Sequence, residues 1–192
     1  ATSKIYDIWS SGTLEIDGNF TQNGEIAMSD GKVLVHGSYG LGLTGVLRMD
    51  GGSFVCDKPY SISKAWQYMS GKMVMSGGVF ELSNNSMYVN SSFEDSISGG
   101  DIRIGYTFYA PSAGTFNPTG GTVEMISGDK MVDAYVQLGS ANWFHDFTYN
   151  SPGVSRVLFS DININHDFLL QAGVLNTGTP FSLTGYDIFV KG

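Results

Sequence analysis

The chain has 192 residues, of which 42% are hydrophobic, 26 are glycine and only 15% are charged, against roughly 25% charged in an average domain. That is enough apolar material for one domain with a continuous core, and too much for wholesale disorder. The formal charge of −8, from 10 Lys plus Arg against 18 Asp plus Glu, argues against nucleic acid or an anionic membrane, which require basic patches.

No run approaches the ~18 consecutive apolar residues of a membrane-spanning helix. Residues 1–10 show no basic stretch followed by an apolar one, so an export signal is expected to lie upstream or to have been removed. A single cysteine, Cys56, allows no internal disulfide and no Cys-based zinc site.

In chain order, short β-type runs follow one glycine turn after another. The turns are Ser11-Gly12, Asp30-Gly31, Gly51-Gly52, Gly77-Gly78, Gly99-Gly100 and Gly120-Gly121. The runs after them start at Thr13, Lys32, Ser53, Val79, Asp101 and Thr122, 19 to 26 residues apart. Stacked on these starts, the second position reads Leu14, Val33, Phe54, Phe80, Ile102, Val123, and the fourth reads Ile16, Val35, Cys56, Leu82, Ile104, Met125. The third, between them, is mostly polar: Glu15, Leu34, Val55, Glu81, Arg103, Glu124. Neighbouring side chains of a strand point to opposite faces, so positions two and four go inward and position three outward. A helix produces no such period-2 column at a fixed offset from a turn.

One strand per ~21 residues, always in register, predicts an all-β fold, a parallel β-solenoid with coils about 4.8 Å apart. Dividing the chain by that period predicts about nine coils and a rod about 40 Å long. Residues 18–21 with 25–28, and 73–75, are read as further strands of the same coils. Beyond Thr122 the period blurs, but strand patterns continue at 135–138, 143–149, 157–165, 168–170, 181–183 and 186–190. A β-sandwich also has short strands between turns, but it does not align these columns. The whole of 1–192 is read as one solenoid domain. It finishes on a fresh strand pattern, so it is expected to be a segment of a longer protein or a subunit whose ends meet neighbouring copies.

The last third carries a resemblance. Residues 143–150 (Trp143-Phe144-His145-Asp146-Phe147-Thr148-Tyr149-Asn150), 157–165 and 168–177 follow a succession of strands and glycine turns. It resembles that of repetitive right-handed β-helix surface proteins of the Bacteroidetes and related bacteria. Gly120 to Met125, followed by 128–138, is similar to the segment that precedes it there. The resemblance implies a secreted, adhesin-like protein of the type IX export style; no sorting domain is visible. It is a likeness of strands and turns and implies no catalytic residue.

Cys56 falls in an inward column and reads as inert packing. Glu81, Arg103 and Glu124 fall on consecutive outward positions and read as a charge ladder, each exposed pair worth under ~1 kcal/mol. His36 stands between Asp17 and Asp57 in the fifth column, a solvated face or, less simply, a metal site. Asp161, Asn163, Asn165 and Asp167 alternate as in a calcium loop. They lack its glycine and closing Glu, and read as one strand's polar face. The coil from Ser53 to Gly78 is the longest, and its excess carries Pro59, Tyr60, Trp66 and Tyr68 with Lys58 and Lys64 nearby. Aromatic rings beside polar groups suit sugar faces, which makes Tyr60, Trp66 and Tyr68 the candidate glycan contacts. Tyr106, Phe108 and Tyr109, in the next long turn, are expected to share that face.

No nucleophile elbow, P-loop, dinucleotide fingerprint or His-Glu-x-x-His is present. The three histidines, His36, His145 and His166, make no triad in sequence, and no enzyme activity and no cofactor is expected. The expected function is a structural or adhesive extracellular module, a rigid rod of a bacterial surface protein or fibre. The alternative is a carbohydrate-binding or carbohydrate-active β-helix. Expected partners are neighbouring copies or adjoining repeats at the solenoid ends, and surface glycans, with no nucleic acid and no membrane insertion.

Overall fold

The computed structural model describes residues 6–8 (backbone only), 11–57, 66–113, 115–126, 134–177 and 187–191. Its strands pair in parallel in three stacks. The first stack holds Thr13–Ile16, Lys32–Val35, Ser53–Cys56, Val79–Leu82, the end of Glu94–Ile104, Gly120–Ile126, the start of Asp146–Leu158 and the start of Phe168–Asn176. The second holds Phe20–Gln22, Tyr39–Leu41, Trp66–Met69, Ser86–Val89, Phe108–Ala110, Tyr135–Leu138 and the end of Asp146–Leu158. The third holds Tyr6–Ile8, Glu25–Met28, Val46–Met49, Lys72–Met75 and the start of Glu94–Ile104. Ile162–Ile164 pairs separately with Ile188–Val190. The fold is a parallel β-solenoid of about seven turns with roughly 22 residues between stacked strands, and no helix among the described residues.

The first-stack register agrees with the sequence columns residue for residue: Thr13 pairs Lys32, Lys32 pairs Ser53, Ser53 pairs Val79, Val79 pairs Asp101 and Asp101 pairs Thr122. The period does not blur afterwards. Thr122 pairs Asp146 and Phe147 pairs Phe168, so both inward columns continue. The run read from 143 splits: Phe144 bridges Ile164, and the first-stack strand begins at Asp146. Seven turns replace the expected nine, because the first stack runs only from Thr13–Ile16 to Phe168–Asn176, with roughly 22 residues between its strands. The strand read at 181–183 lies outside the described residues.

The inward columns make one continuous core. Val33, Phe54, Phe80, Val35, Cys56 and Leu82 are fully buried. Burying each large aliphatic or aromatic side chain contributes about 1.5–3 kcal/mol. Aromatic contacts thread this core, with ring centroids 4.6 Å apart for Tyr39 and Phe54, 5.6 Å for Phe54 and Phe80, and 4.7 Å for Phe144 and Phe147. Cys56 is packing, as its column implies; its thiol donates to the Gly37 carbonyl at 3.1 Å.

The turn between the third and first stacks explains the recurring glycines. Gly31, Gly52, Gly78, Gly100 and Gly121 all have φ between 71° and 82°, the left-handed region that L side chains avoid. A Cβ at Gly78 would lie 2.6 Å from the Gly51 carbonyl oxygen of the turn beneath. Each turn therefore stacks backbone on backbone, and the ladder runs through it: Ser53 N–H donates to Gly31 O and Val79 N–H to Gly52 O, both at 3.0 Å.

Among the buried polar residues described, one carries a charge. Arg156 is fully buried. It donates to the carbonyls of Tyr106 (2.8 Å), Gly105 (2.7 Å) and Ile126 (2.7 Å) and to the Ser151 hydroxyl, with its guanidinium 5.5 Å from the Tyr149 ring centre. Burial lowers its pKa from the ordinary value. Gly105 and Tyr106 belong to one coil and Ile126 to the next, so a single cation on the following coil ties it to both through their backbone dipoles.

Candidate functional site

The outward positions of the second stack carry rings where strands need only a residue that tolerates a pleated surface. Tyr68 pairs with Tyr88 and Tyr88 with Tyr109, one rung apart. Their ring centroids are 5.2 and 5.0 Å apart. Trp66, two residues before Tyr68 on the same strand face, sets its edge on Tyr88 at 5.7 Å and lies 5.8 Å from Tyr109. Tyr135 continues the row at 6.0 Å from Tyr109, and Phe159 ends it at 4.7 Å from Tyr135. Six rings thus form one uninterrupted stripe along the rod. Tyr68 and Phe159, at its two ends, are 50% and 47% exposed; the rings between them shield one another.

Each ring pair contributes about 0.5–1.5 kcal/mol beyond the area it buries. The Tyr135 phenol is pushed up from its ordinary value, first by burial and then by the Tyr109 and Tyr88 phenols beside it. It therefore remains a neutral hydrogen-bond donor at physiological pH. Among the described residues, the outward positions of these second-stack strands carry no carboxylate, imidazole or amine. Such a face offers stacking, CH contacts and hydroxyl hydrogen bonds, and no acid–base pair for catalysis.

Of the residues expected to contact glycan, Trp66 and Tyr68 stand at one end of the stripe, whereas Tyr60 lies outside the described residues, as do Lys58, Pro59 and Lys64. Tyr109 shares their face as expected. Tyr106 and Phe108 do not: Phe108 occupies an inward position and is fully buried against Phe116 and Phe144, and Tyr106 is buried at the turn where its carbonyl accepts from Arg156. In a strand the residue next to an outward ring must point inward, which separates Phe108 from Tyr109. Sequence reasoning missed Tyr88, Tyr135 and Phe159. The interval of about one coil from Tyr68 to Tyr88 and on to Tyr109 is the signal that finds the first of them.

The other candidate positions resolve into surface electrostatics. Arg103 Nε lies 3.1 Å from Glu124 Oε2, and Nη2 lies 3.4 Å from Asp101 Oδ2. Glu81 instead accepts from the Ser83 hydroxyl at 2.6 Å. His36 is held between two carboxylates at 2.7 Å each, Asp57 at Nδ1 and Glu15 at Nε2. Glu15 replaces the expected Asp17, because the imidazole leans toward the third column of the preceding rung. Hydrogen bonds first to Glu15 and then to Asp57 raise the His36 pKa above 6.5.

The alternating Asp161, Asn163, Asn165 and Asp167 line a strand whose Ile162 and Ile164 are fully buried. Asp161 accepts from the Asp187 N–H at 2.9 Å, and Asn163 donates to the Asn142 carbonyl at 3.4 Å, so the side chains serve neighbouring rungs.

Comparison with protein-family models, with curated proteins and with solved structures finds no match to this chain. The class that fold and surface define is a parallel β-solenoid with an aromatic outer face.

Proposed function

We propose that this solenoid is a rigid adhesive module that acts outside the cell and holds an extended polysaccharide along its aromatic stripe. The observation that carries this reading is the unbroken row of Trp66, Tyr68, Tyr88, Tyr109, Tyr135 and Phe159 on one outer face. Rungs repeat about every 4.8 Å, comparable with the length of one hexopyranose unit in an extended chain. Successive rings therefore present stacking faces at intervals a glycan can follow, and the phenols supply donors for its hydroxyls. The solenoid contributes stiffness: its strands have no freedom to repack, so little ordering entropy opposes binding.

The test is retention on a panel of soluble and insoluble polysaccharides, with wild-type protein beside Trp66→Ala and Tyr88→Ala. At least one glycan is expected to be retained by the wild type and lost by both variants. Equal retention by all three, or none by the wild type across the panel, sinks the reading.

A second reading, stacking of neighbouring copies or adjoining repeats at the solenoid end, is favoured by the last coil. Leu170 continues an inward column yet is 53% exposed, with Leu169, Val174, Phe189 and Val190 also exposed. Electron microscopy and sedimentation discriminate: fibres or concentration-dependent association support stacking, and monomers at every concentration oppose it.

A further inference from the structure

The tripeptide His-Asp-Phe occurs at 145–147 and again at 166–168, 21 residues later. The coil stacks the two copies directly. His166 N–H donates to the His145 carbonyl at 3.0 Å, Asp167 N–H donates to Asp146 Oδ1 at 3.0 Å, and the Phe147 and Phe168 rings stack at 6.0 Å. The two imidazoles lie face to face, centroids 5.1 Å apart and planes at 26°. Both present Nδ1 to the Asp146 carboxylate: His166 at 2.7 Å from Oδ1, His145 at 3.3 Å from Oδ2. Asp167 Oδ2 is 3.5 Å from the same His166 nitrogen.

We infer that His145, Asp146 and His166 form a binding site for a divalent transition-metal ion of the zinc type, with Asp167 as a further carboxylate within reach. One ligand atom from each of the three lies within 4.8 Å of those of the other two. Two imidazoles and a carboxylate are a borderline-soft donor set suited to zinc, cobalt, nickel or copper, whereas calcium and magnesium take oxygen ligands. Tetrahedral Zn–N and Zn–O bonds of about 2.0–2.1 Å separate neighbouring ligand atoms by about 3.3–3.4 Å; His145 and Asp146 stand at that spacing, and His166, 2.7 Å from Asp146, would move slightly apart from it on binding.

A second observation concerns His145 Nδ1, which is out of contact with water and lies 3.3 Å from Asp146 Oδ2 without an aligned hydrogen bond. A cation between the two atoms would ligate both. His36 supplies the contrast, since both of its ring nitrogens meet a carboxylate at 2.7 Å and none is left over. The site joins two consecutive rungs, so a bound ion cross-braces the coil. It shares no residue with the aromatic stripe.

The experiment is calorimetric titration of the metal-stripped full chain with zinc ion alone near neutral pH, followed by cobalt absorption spectroscopy. The variants are His166→Gln and Asp146→Asn, with His36→Gln as a histidine control and circular dichroism as the check on folding. One equivalent of zinc is expected to bind the wild type and the control alike, and about tenfold or more weakly in the other two. Cobalt is expected to give the visible bands of a low-coordinate nitrogen–oxygen site in the wild type only. The inference is overturned if the wild type takes up no zinc below about 1 mM, if folded His166→Gln binds as the wild type does, or if the control loses binding.

Discussion

The outer faces of the first and second stacks share one core and one set of rungs, yet their surfaces differ. The first carries Glu15, Glu81, Arg103 and Glu124 with His36 and Asp57 beside them; the second carries Tyr68, Tyr88 and Tyr109, flanked by Trp66 and Tyr135. Inward residues are constrained on both, because a slip of one residue would turn the core side chains into water. Outward residues are not, and the two faces use that freedom differently. A charge on an exposed face is already solvated, so pairing it adds little. Exposed rings give up water readily and hold a second surface better. The rod supplies geometry, and the outward columns decide what it meets.

Experiments can break or sharpen that contrast, beginning with what both faces depend on. Replacing Arg156 by Met removes its hydrogen bonds to the Gly105, Tyr106 and Ile126 carbonyls, each bond to a charged group contributing about 1.5–3 kcal/mol; chemical denaturation is expected to show the largest loss of any single change proposed. Phe80→Ala should cost about 3–5 kcal/mol by emptying the centre of the core, again read from the denaturation midpoint. If either were neutral, the continuous core assumed for both faces would be wrong.

On the aromatic face, Tyr88→Ala is expected to lower stability by about 0.5–1.5 kcal/mol while removing polysaccharide retention altogether. On the charged face, Arg103→Ala should change stability by under about 1 kcal/mol and leave glycan retention intact. Loss of retention in that variant would erase the distinction between the faces.

The smallest effect is pH-dependent. The folded pKa of His36 lies above its unfolded value of 6.5, so its contribution is fully present below pH 6.5 and disappears as pH rises through the folded value. The melting temperature of the wild type should therefore fall over that window relative to His36→Gln. Because the imidazole is exposed to solvent, the difference should be modest. A wild-type advantage that grew with pH would contradict the clamp.

The strand columns, their inward and outward senses and the glycine turns were legible in the amino-acid sequence, because strand alternation and left-handed turns leave a period that one chain displays unaided. Cys56 was placed correctly for the same reason, whereas Trp66 and Tyr68, read as part of the longest coil's excess, lie on a strand of the second stack. What depended on the tertiary structure was lateral neighbourhood on the outside. First-stack strands start 19 to 26 residues apart, so a fixed offset does not identify the residue on the next rung. Tyr135 and Phe159 joined the stripe, Glu15 displaced Asp17, and the two His-Asp pairs met only once the register was known. Arg156 was invisible for a different reason: a buried cation held by carbonyls leaves no partner residue in the sequence to announce it. The core repeats because packing demands it, whereas the surface is assembled by turns of unequal length.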